Sequence, residues 1–378
     1  LDWKLAYGNG VFVAAGKKND TSGSAWYSDD GLAWQRSNSG AAHENLAFGA
    51  GRFASWAGRL PLSTVDGREW AWHEPLDVPV SGELIFGRSR LLGLTPDPNE
   101  PDDHPVKWLL ESSDGMHWQT RLIPPLDLPD DVQHYTYEVK SAVYAKGRMV
   151  FVDERKVISS ADGEHWDVGK WYWPGPSWAS QSLHVVMYGK GQFVAGGHDT
   201  QSSPKVDLLL SSEDGVTWTS HWPEGAVPEK WIYANGAFLA ASQKSSSGGT
   251  IFYGSVDGLT WTNLVEVETT AAPSDLLFGE GRFHLVTRGG EVWRSGLMPP
   301  YVTEPRVIPE LTYRLPDGAM LVTVEAPYGQ QVVVEGSEDL ETWQEVGRDP
   351  CDRGEFEVYH ETAPPGTDWF YRARQVSE

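Results

Sequence analysis

Four aromatic residues crowd one short stretch of the chain: Trp171, Tyr172, Trp173 and Trp178, set around Pro174-Gly175-Pro176. Exposed rings of this kind stack on sugar faces or fill hot spots of protein interfaces. The same composition also suits a loop that folds back and buries its rings as a plug, and the sequence leaves both readings open. Residues 120–137 add His134 and Tyr135 beside Asp130 and Asp131, and residues 196–206 add His198 and Asp199. Together Trp171, Tyr172, Trp173, Trp178, His134, Tyr135, His198 and Asp199 form the candidate ligand-binding set. His198-Asp199 and Asp103-His104 have the types for acid–base work or metal ligation, but an isolated pair defines neither.

Hydrolysis of a glycosidic bond needs two carboxyl groups roughly 5–10 Å apart. Asp103, Asp130, Asp131, Asp199 and Glu229 are available, and nothing in their spacing pairs them. No Ser/His/Asp phrase, phosphate loop or dinucleotide fingerprint stands out. The acidic run Asp97, Asn99, Glu100, Asp102, Asp103 lacks the spacing of a calcium loop and reads as solvated. No catalytic residue, metal or cofactor is therefore assigned.

The elements that must carry these residues announce themselves by repetition. The phrase Asp-Gly-x-x-Trp occurs six times, at Asp30/Trp34, Asp66/Trp70, Asp114/Trp118, Asp162/Trp166, Asp214/Trp218 and Asp257/Trp261. Ser28, Ser112, Ser160, Ser212 and Ser255 stand two residues before five of these Asp residues. The Asp residues are 36, 48, 48, 52 and 43 positions apart, the period of an array of one supersecondary unit. The phrase is turn chemistry. The carboxylate accepts backbone N–H groups just ahead of it, Gly supplies a positive φ, and the Trp ring covers the turn while its N–H finds a backbone acceptor. These residues read as structural.

A second phrase, apolar run–tight turn–apolar run, precedes each box. Its copies are residues 5–16 (LAYGNGVFVAAG), 46–58, 84–95, 142–153, 185–197, 231–242 and 276–289, seven in all. Each unit then holds four antiparallel strands A to D, which is one propeller blade. With strand A innermost, the A–B and C–D turns share one face. The variable B–C and D–A loops share the other, where binding concentrates. The seventh unit has no box, so its outer edge is expected to be short or covered by residues 300–307.

Ser-x-Asp-Gly-x-x-Trp resembles the Asp-box (BNR) repeat of the sialidase, sortilin and xyloglucanase propellers, over about residues 1–298. The resemblance implies a seven-bladed β-propeller with Asp-box turns, and it implies no particular activity. A sialidase would need an arginine triad, a Tyr–Glu pair and an Asp acid. Arg52, Arg148 and Arg282 recur in register but follow the A–B turn, on the Asp-box face, and the early Arg-Ile-Pro signature is missing. Sialidase activity is disfavoured.

After Arg294-Ser295-Gly296 the rhythm stops. A Pro-rich linker is expected over 299–309 and a small β-sandwich, fibronectin III/Ig-like, over 310–378, with strands at 320–325, 331–335, 343–346, 355–359 and 369–374. Ser337-Glu338-Asp339-Leu340-Glu341-Thr342-Trp343 followed by Phe370-Tyr371-Arg372 resembles C-terminal modules of secreted Verrucomicrobia and Planctomycetes proteins. A further Asp box is the competing reading of Asp339–Trp343, with Leu340 in place of the turn glycine.

The formal charge of −23, from 30 basic and 53 acidic residues, disfavours nucleic acid as a partner. No apolar stretch is long enough to span a bilayer. The single cysteine, Cys351, allows no intrachain disulfide. A start at Leu1 is compatible with removal of a signal peptide or with an excised segment. The expectation is an all-β, acidic, secreted or envelope protein. It would bind a glycan or protein, without catalysis, through its loop-rich face. A glycoside-active enzyme and a subunit of a surface assembly are the alternatives.

Overall fold

The structure, a computed structural model, describes residues 2–19, 22–41, 43–78, 80, 82–95, 108–123, 139–152, 156–169, 181–199, 207–221, 228–244, 248–364 and 366–376. Among the described residues the regular elements are β-strands, apart from a three-residue 3-10 turn at Pro309–Leu311, and there is no α-helix. By contacts the chain divides into two compact units. One comprises Leu1–Ile232, Phe238–Leu277 and His284–Arg294; the other comprises Tyr233–Ala237, Phe278–Phe283 and Ser295–Glu378.

Among the described residues, seven antiparallel sheets follow one another along the first part of the chain, each with its strands in sequence order. The first holds β1 (Asp2–Gly8), β2 (Val11–Asn19), β3 (Ser22–Ser28) and β4 (Gln35–Arg36). The second holds β5 (Leu46–Gly49), β6 (Arg52–Ala57), β7 (Leu60–Thr64) and β8 (Ala71–Trp72). The third holds β9 (Leu84–Gly87), β10 (Arg90–Thr95), β11 (Trp108–Ser112) and β12 (Gln119–Leu122). The fourth holds β13 (Ser141–Ala145), β14 (Arg148–Val152), β15 (Val157–Ser160) and β16 (Asp167–Val168). The fifth holds β17 (Gln181–Gly189), β18 (Gln192–Asp199), β19 (Asp207–Ser212) and β20 (Thr219–His221). The sixth holds β21 (Lys230–Ala234), β22 (Ala237–Gln243), β23 (Thr250–Ser255) and β24 (Thr262–Val267). The seventh has three strands, β25 (Pro273–Gly279), β26 (Arg282–Thr287) and β27 (Val292–Arg294).

Local chemistry explains the hairpins. The turn joining the first two strands of each sheet takes positive φ at both central residues, as at Asn9 (52°) and Gly10 (73°). That twist matches the twist of the flanking strands. The third sheet adopts the same turn without glycine, at Arg88 (49°) and Ser89 (59°). The first strands of successive sheets lie side by side, β1 by β5, β5 by β9, β9 by β13 and β13 by β17.

Apolar residues are buried between sheets. Val13, Phe53, Leu62 and Trp70 join the first and second, and Trp56, Leu91, Leu110 and Trp118 join the second and third. Leu94, Leu109, Phe151 and Trp166 join the third and fourth, and Val150, Val152, Phe193 and Trp218 join the fourth and fifth. Trp3, Phe12, Leu277, Val286 and Trp34 join the seventh to the first, so the array closes on itself. In each of these clusters the box Trp packs toward the sheet that precedes its own.

Closure also uses side chains as strand partners. The Ser274 hydroxyl accepts from Trp3 N (2.7 Å) and donates to Trp3 O (3.0 Å), while Asp275 accepts from Leu5 N (2.7 Å). Ser141 does the same between the fourth and fifth sheets, donating to Val186 O (3.2 Å) and accepting from Val186 N (3.1 Å).

The second unit contains two further antiparallel sheets. One has β28 (Arg306–Val307), β30 (Met320–Glu325), β29 (Tyr313–Arg314) and β33 (Glu355–His360). The other has β32 (Gln344–Asp349), β31 (Val332–Ser337) and β34 (Phe370–Gln375). Val322, Val324 and Val358 from the first meet Val332 and Val334 from the second in one core that includes Cys351.

Part of the stretch expected as a linker is thus a strand. Arg306 and Val307, expected at the edge of the seventh unit, pair with Glu325 and Val324 in a sheet of the second unit. The aliphatic content of β30 is buried, and an extended edge beside it is satisfied by pairing.

Candidate functional site

All six boxes form the same turn. At Asp114, Oδ1 accepts from the N–H groups of Met116 and His117, each at 2.8 Å, and Ser112 Oγ accepts from Gly115 N at 2.8 Å. Asp30, Asp162, Asp214 and Asp257 repeat the pattern within 2.7–2.8 Å. Thr64 replaces the serine before Asp66, with its Oγ1 accepting from Gly67 N at 3.0 Å. These bonds hold the carboxyls low. At Asp114 and Asp162 partial burial pushes up, but the backbone and imidazole donors of His117 and His165 outweigh it.

The indoles behave less uniformly than the sequence suggests. Trp34 and Trp166 donate to Gly31 O (3.3 Å) and Gly163 O (3.2 Å). The buried Nε1 groups of Trp70, Trp118, Trp218 and Trp261 meet no acceptor among the described residues. Packing outweighs this bond: Trp118 lies 4.5 Å from Trp56, ring centre to ring centre, and Trp261 lies 5.0 Å from Trp231. The same turn recurs at Asp339 in the second unit, where Oδ1 accepts from Glu341 (2.8 Å) and Thr342 (2.7 Å). Leu340 adopts φ 63° there, so glycine is not required. The turn is a portable local device.

Of the candidate binding residues, Trp171, Tyr172, Trp173, Trp178, His134 and Tyr135 lie outside the described residues. His198 and Asp199 end β18 and pair with Ser182 and Gln181. A bulge between Leu183 and Val185 on β17 inserts His184, whose ring centre is 5.2 Å from that of His198. Bulges re-aim side chains. Burial, then the neighbouring His198, pulls His184 down to about 4. Among the other candidate groups, Arg148 reaches Asp167 (2.8 Å) and Arg282 reaches Ser295 O (3.1 Å), while Glu229 is exposed.

A group that the sequence reading passed over does converge. Align the seven first strands on the aromatic near their ends (Tyr7, Phe48, Phe86, Tyr144, Tyr188, Tyr233, Phe278). The residue three positions earlier is then Lys4, Asn45, Glu83, Ser141, Val185, Lys230 and Asp275. One strand position, followed by an apolar residue in every copy, is polar in six of seven copies. It lies toward the start of strand A, hence on the face of the variable loops.

Lys4 Nζ meets Glu83 Oε1 at 3.0 Å. Asn45 donates to Gly82 O (3.0 Å). Asp275 accepts from Leu5 N (2.7 Å) and Leu276 N (3.0 Å), and burial raises its proton affinity despite Lys4 and Lys230 nearby. Lys230 is half-buried, and its ammonium has no hydrogen-bond or ion-pair partner among the described residues. Burial, then Lys4, lowers its pKa, while Asp275 and Glu83 oppose the shift. No group of three or more His, Cys, Asp and Glu suited to a metal occurs among the described residues.

The sequence matches no protein-family model and no curated protein. Similar solved structures are β-propellers. One is PorZ of Porphyromonas gingivalis, described as an essential surface component of the type-IX secretion system. It is 12% identical with a TM-score of 0.52, over 99% of this chain and 59% of that one. Another is the β-propeller domain of Cps50 (Swd1) from Myceliophteria thermophila, 8% identical with a TM-score of 0.50, over 78% of this chain and 96% of that one. The chain thus spans about 59% of the length of PorZ. At these identities the likeness concerns the fold: an all-β, propeller-type protein.

Proposed function

We propose that this chain is a secreted or cell-surface binding protein without catalytic activity. It is a seven-bladed Asp-box (BNR) propeller over residues 1–298, joined to a β-sandwich module within 310–378, and it binds a glycan or protein through its loop-rich face. The observation that carries the reading is the polar column at the start of the first strands. It offers an ammonium and partly satisfied polar groups, but its two carboxylates are committed, Glu83 to Lys4 and Asp275 to two backbone N–H groups. A hydrolase needs a pair of carboxyls free to trade protons with substrate. The candidate residues His198 and Asp199 belong to the same face, and Trp171, Tyr172, Trp173, Trp178, His134 and Tyr135 are proposed to extend it. The exterior location draws on the sequence resemblance of the second unit and on the fold shared with PorZ.

The test is a glycan array run in parallel with an assay for released reducing sugar. Retention of a glycan, or capture of a defined protein ligand, without sugar release is expected. Release of reducing sugar that depends on the column would overturn the non-catalytic reading.

A further inference from the structure

We propose that Lys230, together with Lys4 and Glu83, forms a subsite for a hydroxylated carboxylate, that is, a sugar acid such as a uronic acid unit. This rests on the glycan-binding reading above and names the class of glycan. In a chain with 30 basic and 53 acidic residues, an ammonium that forms no ion pair among the described residues stands out. A half-buried cation is costly unless paired. No acid of the column can move to Lys230 without abandoning its own partners, because Glu83 holds Lys4 and Asp275 holds Leu5 N and Leu276 N. An external carboxylate would supply the missing partner through charge-assisted hydrogen bonds.

The surroundings narrow the anion. Lys230 also senses Glu83 and Asp275, so a doubly charged phosphate would meet two acids, whereas a singly charged carboxylate balances one ammonium. Glu83 retains further capacity, with its side chain 17% exposed. A carboxylate has about four lone-pair sites, so Glu83 can accept from a sugar's neighbouring hydroxyls while it holds Lys4.

Calorimetric titration of the full chain at neutral pH should show glucuronate binding about tenfold or more tighter than glucose, acetate or inorganic phosphate. Lys230→Met should lose that preference with an unchanged melting temperature. Protection of Lys230 from reductive methylation by glucuronate, read by mass spectrometry on the unaltered chain, gives a second measurement should the variant fold poorly. Equal affinity for glucose would remove the role of charge. Equal affinity for acetate or phosphate would remove the sugar. Unprotected Lys230 would remove the site. Retention of neutral glycans or of a protein, with no response to glucuronate, would overturn this inference and leave the proposed binding function standing.

Discussion

Lys4, in β1, and Glu83, just ahead of β9, meet at 3.0 Å although β1 and β9 belong to the first and third sheets, with β5 packed beside both. A contact that skips a sheet requires both side chains to project off their first strands into a common space. The field of Lys230, which senses Lys4, Glu83 and Asp275, has the same origin. Four residues separated by up to 271 positions thereby share one electrostatic environment.

Closure of the array should depend on Asp275. Its replacement by Ala leaves Leu5 N and Leu276 N without their acceptor, at about 1–3 kcal/mol for each buried group left unpaired. Asp275→Asn keeps an acceptor and should fall between wild type and Asp275→Ala. Urea unfolding monitored by Trp fluorescence gives the order, and equal midpoints for all three proteins would refute the role.

Asp114→Ala and Trp118→Ala should each lower stability by about 1–4 kcal/mol, from lost turn hydrogen bonds and lost packing on Trp56. Neither should alter ligand affinity at the loop-rich face. Loss of binding with an unchanged melting temperature would contradict this division of labour.

Two glycines with the same backbone angle separate strain from packing. Gly10 and Gly67 both have φ 73°, but a Cβ on Gly10 meets nothing within 4 Å, whereas one on Gly67 meets Val13 Cγ2 at 2.6 Å. Gly10→Ala should cost about 1–2 kcal/mol, the left-handed penalty alone. Gly67→Ala should cost clearly more, because it pushes the first sheet from the second. Matched thermal melts compare them directly.

Acid should begin to destabilise the fold near pH 6.5, before most carboxylates titrate. Burial holds His43 at about 4 in the folded state against 6.5 in the unfolded chain. Below 6.5 the unfolded chain takes up a proton that the folded one refuses, so stability falls until the pH passes about 4, by roughly 3 kcal/mol. His184 acts in the same direction. The Asp-box carboxyls, held low, add their loss only below about pH 4. His43→Gln should flatten the change between pH 6.5 and 4 in denaturant melts.

In the second unit burial pushes Asp349 up to about 6 and the Cys351 thiol up to about 12. The acid's ionisation therefore opposes folding as the pH rises through 4 to 6 and beyond. Asp349→Asn can keep an acceptor for Cys351 N (2.7 Å) and should raise the melting temperature at pH 7 but not at pH 3.5. Cys351 should react with a thiol reagent only on unfolding.

The repeat, the turns and the strand order were legible in the sequence because they rest on short-range chemistry. An Asp two and three residues before the N–H groups it binds, and a Gly able to reach positive φ, act alike wherever they occur. The recurrence of the turn at Asp339, with Leu340 bent to the same angle, shows how local it is. The three-stranded seventh sheet was legible too, from the absence of a box after its third strand. The pairing of Arg306 and Val307 with β30 was not, since it depends on which edge is free in another sheet. Nor was the column of Lys4, Glu83, Lys230 and Asp275. Its signal exists in the aligned repeats, but an unmarked polar residue in a strand says nothing of what it faces. Only the packing of first strand against first strand brings those side chains together. The commitment of each carboxylate, and the lack of a partner for Lys230 among the described residues, follow from that convergence.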